Sequence, residues 1–222
     1  MSEHQIKFIT ACIIQSLYYL RKEKIINRDI AMRNIIMDKK RYLNLIDFSF
    51  AILYEEKNNL STYIVPSPLE SSPEILNNSI YDYNSDYYRI GVIIFYLIFK
   101  KNLNMIKKIN NINEIKIDYL KVNNYTSYCI DFLNKLIISD YKKRIGFNSI
   151  NELKEHPWFE GFNWKKLEKK KIKSPLKFKK SKFKFNLKEK TNIYKKINYQ
   201  YSIKNYDFIN EEIIIKILNF IK

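Results

Sequence analysis

The feature that most constrains the fold is an apolar run from Ile90 to Phe99, the longest in this chain of 222 residues. Its ten residues are too few to span a bilayer as a helix, which takes about 20. The wider segment 86–100 is apolar on nearly all sides when drawn as a helix, and such helices lie inside a protein. The sequence therefore predicts a buried helix over 86–100, with the core built around it.

Weaker patterns around this helix predict a mainly α fold with few strands. Apolar residues at helical spacing predict three further helices: 3–23, 127–138 and 149–155. Two short apolar runs, 35–37 and 42–46, flank a polar turn and predict a β-hairpin. Residues 47–72 have weak periodicity and predict a long loop, which in a compact domain is usually functional or disordered. Residues 165–205 predict an extended tail.

Glycine, cysteine and the N-terminal residues exclude several classes of protein. The three glycines are far apart, which excludes a glycine-rich phosphate-binding loop within these residues. Cys12 and Cys129 lack the spacing of a metal or redox motif, and we expect buried thiols in a reducing compartment. The first five residues are polar and do not resemble a signal peptide. These features predict a cytoplasmic protein.

The net charge of +17 is concentrated near the C-terminus, where residues 165–190 contain 13 lysines and two glutamates. A basic segment attracts nucleic acid or acidic membranes without regard to sequence. Phe178, Phe183 and Phe185 lie among these lysines and could stack on bases or enter lipid. The alternative is a solvated basic tail without a partner.

Polar motifs in a fixed order carry the sharpest signal in the sequence. They are, in chain order, Asn27-Arg28-Asp29-Ile30-Ala31-Met32-Arg33-Asn34, Asp47-Phe48-Ser49, Ser72-Pro73-Glu74 and Asp86-Tyr87-Tyr88-Arg89-Ile90-Gly91. With the hairpin between the first two, this set resembles the C-terminal lobe of a eukaryotic protein kinase. The resemblance implies a kinase-like lobe over 1–160 with a short hairpin at the catalytic loop, followed by an extended basic tail over 161–222.

The resemblance implies transfer of the γ-phosphoryl group of ATP to a protein hydroxyl, with Mg²⁺ as the metal. Asp29 falls where the family accepts the proton of the substrate hydroxyl. Asn34 and Asp47 fall where the family holds Mg²⁺, a hard cation that prefers oxygen ligands.

Four further positions have structural roles in the resembled family. Arg28 would brace the activation loop by pairing with a phosphate or an acid there. Glu74 and Arg144 match a buried ion pair that ties this loop to the later helices. Asp86 would anchor the backbone of the catalytic loop from the buried helix.

Residues 155–164 (EHPWFEGFNW) and 174–176, with 42–51, are most similar to AGC kinases, especially the cGMP-dependent serine/threonine kinases. This similarity implies an AGC-type tail and allows for a cyclic-nucleotide-binding region upstream. Ser67 stands near the substrate-loop hydroxyl of serine/threonine kinases. Thr62 and Tyr63 are candidate phosphorylation sites of the activation loop, the alternative being exposed loop residues.

The chain departs from the family pattern at several positions. Asn27 replaces the motif histidine, and Ser49 replaces a glycine, which is expected to restrict the hinge there. Ala31 replaces the lysine beside the transferred phosphate, and Arg33, placed as in tyrosine kinases, is positioned to supply that cation.

The largest departure is that the 222 residues contain no N-terminal lobe, and so no glycine-rich loop and no lysine that grips the ATP phosphates. We therefore expect little kinase activity from this chain alone, and a need for the missing lobe or a partner that covers the site. The alternative function is a pseudokinase-like scaffold or regulatory module without catalysis.

Overall fold

The computed structural model describes residues 1–54, 70–77, 82–103, 106, 115–118, 120 and 122–177. The chain forms two compact units, Met1–Pro175 and Leu176–Lys222. Only two residues of the second unit are described. Thr62, Tyr63, Ser67 and most of the predicted basic tail lie outside the described residues.

The first helix, α1, spans Glu3–Lys22, so the prediction of a helix over 3–23 is confirmed. It begins with a capping box, in which the Ser2 hydroxyl accepts a hydrogen bond from the backbone of Gln5 and the Gln5 side chain accepts one from Ser2. Capping boxes satisfy two backbone donors that a helix start leaves unpaired. Basic residues end the helix, where they complement the helix dipole.

The apolar run forms the central helix α3, Tyr83–Phe99, which is buried on nearly all sides as predicted. It begins three residues before Asp86 because the Asp82 carboxylate caps it, accepting a hydrogen bond from Asn84 N at 2.7 Å. Gly91 allows a close approach to the next helix. A Cβ atom there would lie 2.6 Å from Ile137 Cγ2 and 3.0 Å from Leu136 Cβ.

Two antiparallel pairs of short strands surround the catalytic-loop motif. Strands β2 (Ile35–Met37) and β3 (Leu43–Leu45) form the predicted hairpin, with Ile36 opposite Asn44. Strands β1 (Ile25–Ile26) and β4 (Ile52–Leu53) pair Ile25 with Leu53. The prediction of a loop throughout 47–72 is therefore wrong at β4. Two residues are too short for a periodic pattern, and the strand exists because β1 supplies its partner.

The remaining helices are short and pack on α1 and α3. Helix α2 spans Pro73–Leu76, α4 spans Ser127–Leu136, α5 spans Asn151–Glu155 and α6 spans Trp164–Glu168. The predicted helix over 127–138 is confirmed, although it ends two residues earlier.

The prediction of an extended tail from residue 165 is wrong at its start, because α6 is helical and Leu167 is buried. The chain after α6 is fastened to the hairpin. The Tyr42 hydroxyl donates to Ile172 O at 2.7 Å and accepts from Ile172 N at 2.8 Å. Lys170 Nζ lies 2.6 Å from Asp38 Oδ2. Residues 170–172 therefore belong to the folded unit.

Both cysteines are free and buried, as the sequence predicts. Burial raises the pKa of Cys12 to about 11, which makes this thiol a poor nucleophile. Among the described residues, no helix combines the length and apolar character needed to cross a membrane.

Candidate active site

The catalytic-loop motif is anchored on the central helix by Asp86. Its Oδ2 atom accepts a hydrogen bond from Asn27 N, and its Oδ1 atom accepts one from Arg28 N, both at 2.9 Å. The carboxylate is buried, and burial raises the pKa of Asp86 to about 6, although these two bonds and the charge of Arg89 act in the opposite direction. The loop therefore turns around a fixed carboxylate, and Arg28 takes the left-handed φ of 68° at this turn.

Asn27, which stands in place of the motif histidine, holds the backbone of Asp29. Its buried Oδ1 atom accepts a hydrogen bond from Asp29 N at 3.0 Å. Asparagine favours this bond to the backbone two residues on, because its short side chain mimics one step of a turn. The substitution thus preserves a local constraint on the residue predicted to be the base.

Asp29 is 4% exposed, and both of its carboxylate oxygens have partners. Arg33 Nη2 donates to Oδ1 at 2.6 Å, and Asn34 Nδ2 donates to Oδ2 at 2.7 Å. Hydrogen bonds from charged donors are stronger than neutral ones and fix orientation. The structure therefore brings together the three residues that the sequence placed at the reaction centre.

The hairpin brings the backbone of Asn34 close to that of Asp47. Ile46 N donates to Asn34 O at 2.8 Å, so the chain enters Asp47 directly beside Asn34. Asn34 Nδ2 also donates to Asp29 O at 2.9 Å, and its amide oxygen consequently faces away from Asp29. The backbone thus places Asn34 next to the exposed residue Asp47, and these two residues offer an amide oxygen and a carboxylate, the ligand types that a hard cation prefers.

Ser49 binds the Asp47 carboxylate. Asp47 Oδ1 accepts from Ser49 N at 3.1 Å and from Ser49 Oγ at 2.5 Å. These two bonds lower the pKa of Asp47, and the charge of Arg33 adds to the effect. The left-handed φ of 65° falls on Asp47 and not on Ser49, so serine fits this conformation without the backbone freedom of glycine.

Glu74 and Arg144 form a buried ion pair with two parallel hydrogen bonds, of 2.7 and 2.9 Å. Arg144 also donates to Asn84 O at 2.8 Å and to Ile138 O at 2.9 Å. Burial by itself would raise the pKa of Glu74, but the bonds to Arg144 outweigh it and lower the pKa. This pair fastens α2 to the start of α3.

Arg28 points toward the chain that follows Asp47, where its Nε donates to Phe50 O at 2.5 Å. The residues that it was predicted to brace belong to the activation loop. Thr62, Tyr63 and Ser67 of that loop lie outside the described residues.

Sequence reasoning missed the role of Arg89, a second charged residue on the buried helix α3, three positions after Asp86. Its guanidinium is buried and lies 3.4 Å from Asp29 Oδ1 and 3.2 Å from Ser71 Oγ. A charge directly before the apolar run, on a helix predicted to be buried, was a usable signal, because charged side chains are rarely buried without a partner. The identity of the partner could not be read from the sequence.

The two candidate metal ligands, Asn34 and Asp47, are too few to hold a cation by themselves and fit one that a phosphate ligand also binds. Within the described ranges, no three His, Cys, Asp or Glu side chains come together to hold a metal. Mg²⁺ is commonly bound through one or two carboxylates together with substrate phosphates and water. Asn34 and Asp47 fit that mode, in which the phosphates complete the site.

The described residues form a mainly helical fold with few strands, in which the buried Asp29 carboxylate lies on a loop anchored by Asp86. The chain belongs to the protein kinase domain family, which it matches over residues 1–159. Both the predicted membership of the kinase family and the similarity to cGMP-dependent kinases are confirmed.

The relatives found by sequence similarity are kinases. The chain is 29% identical to human cGMP-dependent protein kinase 2 over 178 residues, which covers 77% of this chain and 23% of that protein. It is 30% identical to a probable serine/threonine-protein kinase of Dictyostelium discoideum over 180 residues, covering 79% of this chain and 39% of the relative. The chain therefore spans well under half the length of these relatives.

Proposed function

We propose that this chain supplies the catalytic base, the metal ligands and the structural core of a protein serine/threonine kinase, as its C-terminal lobe with the start of an AGC-type tail. The observation that carries the proposal is the pair of hydrogen bonds that Arg33 and Asn34 donate to the Asp29 carboxylate, on a loop that Asp86 anchors. The names of the relatives support the reaction and the serine/threonine specificity.

In this function Asp29 orients the substrate hydroxyl and accepts its proton. Phosphoryl transfer depends mainly on positioning and on neutralising charge. The Asn27 turn and the Asn34 amide hold the carboxylate so that little reorganisation is needed. Arg33 would supply the cation beside the transferred phosphate, and its side chain is 49% exposed even though Nη1 binds Glu70 and Nη2 binds Asp29.

ATP and Mg²⁺ are the proposed cofactors, and this chain offers a place for each. Asn34 and Asp47 would hold Mg²⁺, which when bound would neutralise charge on the phosphates. Asn34, Ile36, Asn44 and Ile46 share one face of the hairpin, since alternate residues of a strand point the same way. Ile36 on that face is 48% exposed and offers an apolar surface for a nucleobase.

The test of nucleotide and metal binding uses the 222-residue chain with Mn²⁺ in place of Mg²⁺. Calorimetry should detect binding of Mn²⁺ with ATP, and Asp47→Asn should weaken it at least tenfold. Asp118→Asn is the matched control, since Asp118 is an exposed aspartate outside this site. Equal binding by wild type and Asp47→Asn would refute the proposed metal site.

The test of catalysis uses the natural full-length protein with Mg-ATP and peptides that differ only in carrying serine, threonine or tyrosine. We expect transfer to serine and threonine, and its loss in Asp29→Asn. Transfer to tyrosine alone would refute the proposed specificity, and transfer that survives Asp29→Asn would refute the proposed base.

The proposed partner is a protein substrate, together with an N-terminal lobe or another protein that covers the nucleotide site. The proposal also includes a cyclic-nucleotide-binding region upstream and a cytoplasmic location. Its last part is a weak affinity of the 165–190 segment for nucleic acid or acidic membrane. Binding of full-length protein to heparin or to DNA in rising salt tests the last of these, because phosphate contacts weaken steeply with salt.

A further inference from the structure

Arg89 is a buried cation that faces the catalytic loop. Its side chain is 1% exposed. It stands three residues after Asp86 on α3, so the two side chains leave the helix on neighbouring parts of one face. A buried guanidinium is costly unless it is paired and hydrogen-bonded, and its partners therefore explain why it is tolerated.

The partners of Arg89 come from two separate segments of the chain. Nη1 lies 3.4 Å from Asp29 Oδ1 in the catalytic loop. Nη2 donates to Ser71 Oγ at 3.2 Å, and Nη1 lies 3.8 Å from Glu70 Oε2. Residues 70 and 71 immediately precede α2, whose Glu74 is fixed by Arg144. One guanidinium thus joins the proposed base to the chain that leads into α2.

A second guanidinium joins the same two acids from the solvent side. Arg33 Nη1 donates to Glu70 Oε2 and Nη2 donates to Asp29 Oδ1, both at 2.6 Å. Asp29 and Glu70 are therefore bracketed by two cations, Arg33 at the surface and Arg89 in the interior. The charges of the four side chains balance, which lets the cluster remain ionised where it is partly buried.

We infer that Arg89 is a positioning residue that couples the orientation of the Asp29 carboxylate to the placement of residues 70–71. When residues 70–71 are in place, Ser71 and Glu70 share the guanidinium and keep it from closing on Asp29. When they leave, Asp29 is the one carboxylate that remains in ion-pair contact with Arg89 among the described residues, and it is drawn inward away from a substrate hydroxyl. The inference rests on the proposed function for the role of Asp29 and adds a means of regulating it.

The coupling is tested without any assay of activity, by amide hydrogen exchange on the 222-residue chain. Ser71→Ala and Glu70→Gln remove partners of Arg89 without touching Asp29 directly. We expect each to speed exchange at least threefold in residues 29–34, while α1 and α4 are unchanged. Arg89→Met should speed exchange at least tenfold in both 29–34 and 70–77.

Two controls separate coupling from general loss of stability. Arg21→Met removes another guanidinium that contacts α3, through the Tyr87 hydroxyl at 2.9 Å, and should leave 29–34 unchanged. Arg89→Lys keeps the charge, but lysine has a single terminal nitrogen and cannot bind both segments at once. It should therefore restore less than half of the wild-type protection of residues 29–34 from amide exchange. Faster exchange everywhere in Arg89→Met, with no local effect of Ser71→Ala or Glu70→Gln, would overturn the inference.

Kinetics on the natural full-length protein distinguish failure of this inference from failure of the proposed function. Glu70→Gln should lower kcat at least fivefold with less than a twofold change in KM for ATP. If wild type transfers phosphoryl groups and Glu70→Gln matches it in both kcat and exchange, the coupling is refuted while the proposed function stands. If wild type shows neither Mn²⁺-dependent ATP binding nor transfer, the proposed function is refuted, and the catalytic meaning of the coupling with it.

Discussion

Glu74 and Arg144 are 70 positions apart in sequence, yet their side chains form a two-pronged ion pair that water does not reach. The pair connects the chain that follows the activation loop to the segment before α5. The Glu74 carboxylate also accepts a hydrogen bond from Ser85 Oγ, at 3.1 Å from Oε1. Each charge is therefore compensated only while the other is present.

Replacing one member of this pair should strongly destabilise the fold. Arg144→Met leaves the Glu74 carboxylate buried without its cation, and breaking a buried pair in this way costs about 3–5 kcal/mol in the free energy of unfolding. Urea denaturation at pH 7 measures the loss. The double variant Glu74→Gln with Arg144→Met should lose less than the single variant, because no unpaired charge remains.

The matched control is Lys143→Met, which removes the neighbouring cation of an exposed pair with Asp140. Surface pairs contribute little, so this variant should unfold at nearly the wild-type urea concentration. A loss below about 1 kcal/mol in Arg144→Met, the size expected of a surface pair, would show that the buried pair does not hold the fold together.

Asp86→Asn should loosen the catalytic loop at its anchor. An asparagine side chain offers one acceptor oxygen, so either Asn27 N or Arg28 N loses its partner. An unpaired buried donor costs about 1–3 kcal/mol. Amide exchange by NMR should show at least one of these two amides exchanging more than tenfold faster. Asp82→Asn removes a capping acid from the same helix and should leave both amides protected.

Ser49→Ala should raise the pKa of Asp47 toward its ordinary value, because the hydroxyl bond is the largest cause that lowers it. A carboxylate with a lowered pKa stays ionised to lower pH. As the pH is lowered, wild type should therefore continue to bind Mn²⁺ together with ATP at pH values where the variant no longer does. Carbon-13 NMR of the Asp47 carboxyl measures the shift, with Ser16→Ala as control. An unchanged titration in Ser49→Ala would show that the hydroxyl does not bind the carboxylate in solution.

His156 should make the fold less stable in mild acid. Its Nδ1 accepts from Trp158 N at 3.1 Å, so the ring is neutral and Nε2 donates to Asp131. Burial lowers the pKa of His156 below its ordinary value of 6.5, although Asp131 opposes this. The unfolded chain therefore binds a proton first as the pH falls, and stability is lost as the pH drops through about 6.5.

The measurement is the urea midpoint of wild type and His156→Asn between pH 8 and pH 5. Their difference isolates this histidine from Asp86, whose raised pKa gives the opposite slope in the same range. We expect the urea midpoint of wild type to exceed that of His156→Asn at pH 8, and this difference to shrink toward pH 5. His4→Asn, at an exposed histidine, should follow wild type throughout. A constant difference across the range would contradict the neutral state of His156.

The sequence was sufficient for those parts of the fold and site that depend on local order. The central helix follows from its apolar composition, and the hairpin follows from two apolar runs around a polar turn. The candidate site was predicted from the resemblance to the kinase motif, and because Asp29, Arg33 and Asn34 lie within six residues, one turn of chain brings them together.

What the sequence could not provide depends on partners far along the chain. Strand β4 forms because β1 lies beside it, and neither is long enough to show a pattern. From the sequence, Arg33 was the one cation assigned to the surroundings of Asp29, whereas the structure adds Arg89 from the core. That contact spans 60 residues, and only the packing of α3 beneath the loop creates it.

The two hydrogen bonds between the Tyr42 hydroxyl and the backbone of Ile172 limit how far the chain can be truncated from its C-terminal side. The family match ends at residue 159, yet the first unit continues to Pro175. Because residues 170–172 lie beyond the match, a fragment trimmed to the matched residues would lose the two backbone partners of the Tyr42 hydroxyl and the Lys170 partner of Asp38. The compact unit is thus longer than the matched domain, and residues 170–172 at its end support the hairpin that follows the catalytic-loop motif.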